Sequence, residues 1–108
     1  MKKMPYRATT ATGEVFDIEF PLHPHTASAV CVQQLLQAVL ASLSREIAVL
    51  PKVANGDVLP ALAMAMAVRA GIIYAPQALV DEQARGLLDV ALQAMTQATR
   101  VGPAAGHA

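Results

Sequence analysis

Residues 14–20 read Glu-Val-Phe-Asp-Ile-Glu-Phe, with Phe16, Ile18 and Phe20 on one side of the alternation and Val15, Asp17 and Glu19 on the other. A period of two is that of a half-buried strand. The stretch 6–12 before it carries Tyr6 and several threonines and is a candidate partner strand. Gly13 supplies the positive φ that a tight turn between the two needs. Side-chain chemistry chooses the register. A three-residue loop at 11–13 sets Thr10 opposite Glu14, Ala8 opposite Phe16, Tyr6 opposite Ile18 and Met4 opposite Phe20, and places Arg7 opposite Asp17 on the polar face. A two-residue loop would put Arg7 against Ile18 on the apolar face. A β-hairpin over residues 6–20 is therefore expected.

The period then changes. Pro21-Leu-His-Pro-His is a connector, because two prolines in four residues interrupt both strand and helix. Beyond Thr26, read as an N-cap, large apolar residues recur at 32, 35, 36, 39, 40, 43, 47 and 50, the stripe of a helix over 26–50. Pro51 ends it. Asn55-Gly56-Asp57 reads as a turn whose Asp57 caps a second helix over 58–70, with Pro60 in its first turn and Gly71 beyond its end. That helix is apolar nearly all round, so burial on most sides is expected. Residues 72–74 fit either an extended piece or a packed turn. A third helix over 76–100 places Val80, Ala84, Leu87, Leu88, Ala91, Leu92, Met95 and Ala98 on one face. Asp81 is a candidate internal cap, and Gly86 costs about 1 kcal/mol relative to alanine. Residues 101–108 read as a disordered tail. The expected fold class is α+β: one domain over residues 1–100, with an N-terminal two-stranded β-hairpin followed by three α-helices packed in two layers. In length and in this order of elements the chain resembles ZapA, the bacterial division-ring accessory family. That family ends in a long charged coiled coil, from which the third helix departs through Pro76 and Gly86.

Composition adds a question of assembly. Of 108 residues, 55% are hydrophobic and only 15% charged, with twenty-two alanines. About 25% charged is ordinary, so the surface is either unusually apolar or hidden in an oligomer. A lone hairpin is marginal in water and leaves two unpaired edges. A symmetric homodimer resolves both, either by pairing hairpins into a four-stranded sheet or by packing the second helix on its mate. The length excludes barrel enzymes.

Eight basic and eight acidic side chains cancel, and the only basic cluster is Lys2, Lys3 and Arg7. With four aromatic residues there is little for bases to stack on, so nucleic-acid binding is not expected. The apolar runs 58–68 and 70–80 are split by Arg69, and neither reaches the roughly 20 residues of a membrane span. A positive N-terminal start without an apolar stretch after it points to a cytoplasmic protein. The alanine content fits a GC-rich, bacterial source.

Few residues carry candidate chemistry. His23 and His25 can share a metal ion if the connector is extended, with Asp17 or Glu19 as an oxygen ligand. The plainer reading is two solvated imidazoles on a rigid linker, with His107 in the tail. Cys31, in an apolar stretch near a helix start, is expected to be a small core residue. Arg69 stands between apolar runs, as a structural ion pair with Asp57, Asp81 or Asp89, a head snorkelling to water, or an anchor for an anionic group of a partner. Met64, Met66 and Met95 fit ordinary core better than an adaptable binding surface. Asp17 and Glu19 form a solvated face rather than a catalytic pair. No glycine-rich phosphate loop, Ser-His-Asp order or Cys-X-X-Cys motif is present, and no cofactor is expected. The leading expectation is a small non-enzymatic protein that self-associates and binds another protein. The alternatives are a metal-binding module using His23 and His25, and a ligand-binding or enzymatic domain with a site between hairpin and helices lined by Tyr6, Tyr74, His25 and Arg69.

Overall fold

The computed structural model describes residues 2–10 and 13–103. They form an α+β arrangement in the order β1 (Lys3–Thr9), β2 (Glu14–Pro21), α1 (Ala29–Val49), α2 (Asn55–Gly71), α3 (Gln77–Thr96) and β3 (Thr99–Pro103). β1 and β2 pair in the register that satisfies both faces: Met4 opposite Phe20, Tyr6 opposite Ile18, Ala8 opposite Phe16 and Arg7 opposite Asp17. Gly13 sits at φ +87° and donates to the Thr10 carbonyl, while residues 11 and 12 of the expected loop lie outside the described residues.

The sheet has three strands rather than two, in the order β1-β2-β3. β3 was expected to be the end of the third helix and a disordered tail. The helix instead closes at Thr96, whose hydroxyl donates to the Gln93 carbonyl at 2.6 Å. Thr99-Arg-Val then runs antiparallel to β2, with Arg100 opposite Phe16 and a register shift between Val15 and Phe16. The second edge of β2 offered unpaired backbone groups, and a β-branched stretch satisfies them. The Arg100 guanidinium lies 4.9 Å from the Phe16 ring centroid and 3.3 Å from the Glu14 carboxylate.

The helix starts also move. Ser28, and not Thr26, caps α1: its hydroxyl accepts from the Cys31 N–H at 3.2 Å. α2 begins at Asn55, and Asp57 accepts from the Ala54 N–H at 3.1 Å from inside the first turn. α3 runs unbroken through Asp81, whose carboxylate takes a hydrogen bond from the Gln77 side chain.

Packing is uneven. Among the described residues, the buried apolar ones are Met4, Val15, Ile18, Val80 and Ala94, all in the sheet or α3. Val15, expected on the wet side, is buried beside β3. α3 packs on β2 and α2 packs on α3, but α1 and α2 contain no buried residue. The all-round burial expected for the second helix is absent from the single chain. The radius of gyration is 15.5 Å, against about 13 Å for a compact domain of this length. The molecule is a slab of 52 × 37 × 22 Å.

Candidate functional site

The helical layer is open because amphipathic stripes face one another across grooves. Val32 and Leu36 of α1 stand across from Leu87 and Val90 of α3, with Met4 and Phe20 of the sheet beneath, around a groove of about 520 Å³. Further along α1, Val39 and Leu43 face Leu62 and Ala65 of α2 across about 380 Å³. A third cleft of about 260 Å³ separates Met66 and Ile73 from Val80 and Leu87. Alanines line part of the second groove, at 38, 61 and 65, where their small side chains leave space between α1 and α2. The result is apolar side chains in contact with water, including Leu35, Leu59, Met64 and Val68 at 66–67% exposure and Tyr74 fully exposed.

The accessible surface shows the scale. The chain exposes 8366 Å², whereas a folded monomer of its 11.3 kDa exposes about 5,700 Å². The eight residues outside the described set could contribute at most about 1,000 Å². At least about 1,600 Å² of the excess belongs to described residues.

The candidate chemical residues are placed as follows. His23 through Thr26 form a tight turn, with the Thr26 N–H donating to the His23 carbonyl at 2.9 Å and Pro24 at the second position, where its fixed φ fits. The connector is therefore bent, whereas a shared metal would need it extended. The imidazoles lie 5.0 Å apart, edge to face at 68°, and His23 Nδ1 already accepts the backbone N–H of His25. His23 lines the apolar groove beside Met4, and His25 is exposed. Among the described residues no three potential ligands from His, Cys, Asp and Glu gather where an ion could bind. The potential oxygen ligand Asp17 is taken up by Arg7, at 2.6 and 2.8 Å.

Arg69 is exposed in the last turn of α2, where its charge complements the helix dipole, and it pairs with none of Asp57, Asp81 or Asp89. It lines the α2–α3 cleft. Cys31, expected in the core, is exposed. Met64, Met66 and Met95 are exposed as well, which corrects their expected core placement. Tyr6, Tyr74, His25 and Arg69 do not converge: Tyr6 lines a groove along β2 and α3, Arg69 the α2–α3 cleft, and Tyr74 stands in solvent.

The Tyr6 groove, about 1160 Å³, is broader than those three clefts and is lined by Lys3, Arg7, Asp17 and Glu19 among others. Its central pair is self-satisfied. Hydrogen bonds from Arg7, with its charge adding to them, hold the Asp17 carboxyl below the usual aspartate range despite some desolvation, and Asp17 in turn raises Arg7. The hydroxyls of Ser28, Ser42 and Thr96 meet the Cys31 N–H, the Arg45 guanidinium and the Gln93 carbonyl, none of which is a general base. No helix among the described residues is long and apolar enough to cross a membrane.

Sequence reasoning found the apolar stripes but not the grooves between them. The missed signal was the alanine spacing at 61, 63, 65 and 67, which predicts space beside α2 as readily as close packing. No protein-family model matches the chain, and comparison with curated proteins and with solved structures finds no match. The resemblance to ZapA in element order therefore carries no argument further.

Proposed function

We propose that the chain is a small non-enzymatic protein that works by association: it pairs with itself and, once paired, binds another protein as an adaptor or regulatory module. One observation carries this reading, the surface in excess of a monomer's together with large apolar side chains exposed on all three helices. Removing apolar surface from water at about 25 cal/mol per Å² is the largest stabilising term open to this chain. Exposed patches beyond a few hundred Å² mark contact surfaces in soluble proteins. The polar groups support the same reading from the other side: Arg7 and Asp17 satisfy one another, and the hydroxyls of Ser28, Ser42 and Thr96 are engaged with backbone groups or Arg45 rather than with a base. The experiment is the solution mass of the purified chain by light scattering across the micromolar range. A mass of at least twice 11.3 kDa is expected. A cooperatively folding species at the single-chain mass contradicts the reading.

A further inference from the structure

Copies of this chain can pair strand to strand or helix to helix, and we infer that they pair through the α1–α2 layer, with a second copy filling its grooves and the sheet edges left out. The inference rests on the self-association proposed above and specifies its surface.

The outer edge of β1 is built against pairing. The Leu22 N–H donates to the Lys2 carbonyl at 2.7 Å and the Thr10 N–H to the Glu14 carbonyl at 2.8 Å. With the register of β1 on β2, the even-numbered residues of β1 are then the hydrogen-bonded pairs and the odd-numbered ones turn their backbone groups outward. Pro5 is odd-numbered and sits near the middle of the strand. It removes an outward N–H without cost to the internal ladder, between the charged Lys3 and Arg7. The opposite edge is β3, five residues long, paired only with residues 14–17 of β2 across a register shift, and closed by Pro103. Both edges are short or interrupted templates.

The helical layer has the opposite character. The 21 residues of α1 and 17 of α2 carry only Arg45, Glu46, Asp57 and Arg69, two of each sign. A two-fold interface sets a surface against itself, so a face of one sign would repel; this one is neutral. The area is enough for a second copy. The excess of at least about 1,600 Å² is shared among the three helices and residues 72–74, and half of it would supply the roughly 800 Å² per partner of a standard interface. Covering this face removes apolar surface from water. A second copy is the one occupant always present at the chain's own concentration.

The test compares solution masses of the full chain and three variants. Val39→Asp places a charge on α1 at a groove-lining residue that is 48% exposed in the single chain, where it would be nearly neutral if nothing covered it. Gln37→Asp places the same charge at an exposed polar residue of α1, with a helix-propensity cost no smaller than that of Val39→Asp. Thr9→Pro removes another outward donor from β1. Expected are a dimeric wild type, dimeric Gln37→Asp and Thr9→Pro, and a Val39→Asp dissociation constant raised at least about 100-fold. Should Val39→Asp lose its helical circular dichroism, Leu35→Asp, at 67% exposure on the same stripe, takes its place with the same expected loss of the dimer. A dimer kept in Val39→Asp and lost in Thr9→Pro overturns the inference while self-association stands. A monomeric wild type overturns both, and its flotation with phosphatidylcholine–phosphatidylglycerol vesicles would identify a lipid surface as the occupant instead.

Discussion

The sheet and the helical layer belong to one chain, yet they differ in composition and end in different physical states: the 20 strand residues carry six charged side chains, the 38 residues of α1 and α2 only four. In the sheet, Met4 and Ile18 are buried, Arg7 and Asp17 close a two-pronged ion pair, and Arg100 spans the Phe16 ring and the Glu14 carboxylate. In α1 and α2 no residue is buried, and Leu35, Leu59, Met64 and Val68 stand in water. The difference lies in how each element meets its obligations. A strand must satisfy backbone groups laterally, and β1 and β3 do so within the chain. A helix satisfies its own backbone and owes only the cover of its apolar face, which another molecule can provide.

Equal truncations in the two regions are the strongest way to break this contrast. Ile18→Ala, 4% exposed under α3, should cost about 3 kcal/mol in a urea titration. Leu35→Ala, on the α1 stripe at 67% exposure, should cost about 2 kcal/mol if the layer is covered in solution, and under about 0.5 kcal/mol if it is bare. Gly86→Ala sharpens the point within α3. A Cβ there meets nothing within 4 Å in the single chain, so helix propensity alone would raise stability by about 1 kcal/mol. Because Gly86 lines the groove assigned to the second copy, that gain should be absent from the urea midpoint. The smallest effect is electrostatic. The Asp17 carboxyl is held below its ordinary value near 3.8, so its contribution is complete above that value and fades as pH falls through the lowered native one. Thermal melts of the wild type should show this small acid component. Those of Asp17→Asn should lack it, with the mass unchanged, because the pair is exposed and lies in the sheet.

What the sequence made legible follows the same division. The register of β1 on β2 could be read because both faces constrain it: a shift of one residue sets Arg7 against Ile18. β3 could not, because Thr99-Arg-Val is short, follows a helical pattern directly, and pairs with residues more than eighty positions away. Local pattern carries no record of that partner. The stripe of α1 was visible from 32 to 50, and so was the apolar character of α2. Periodicity states which face wants cover and not whether the same chain supplies it. Cys31, Met64 and Met66 were assigned to a core for that reason, and each is exposed. His23 and His25 were legible as neighbours, but the turn closed by the Thr26 N–H, which governs their rings, depends on Pro24 in a way the spacing alone did not show.

Amide hydrogen exchange measured over a range of protein concentration tests the central claim most directly, because it reads the two regions separately in one sample. The account predicts that protection of the α1 and α2 amides rises steeply as the chain is concentrated and reaches the level of the β1–β2 ladder once the second copy is in place. Protection of α1 and α2 that matches the ladder at every concentration, down to a chain of single mass, would show that the layer closes on itself and would contradict the account.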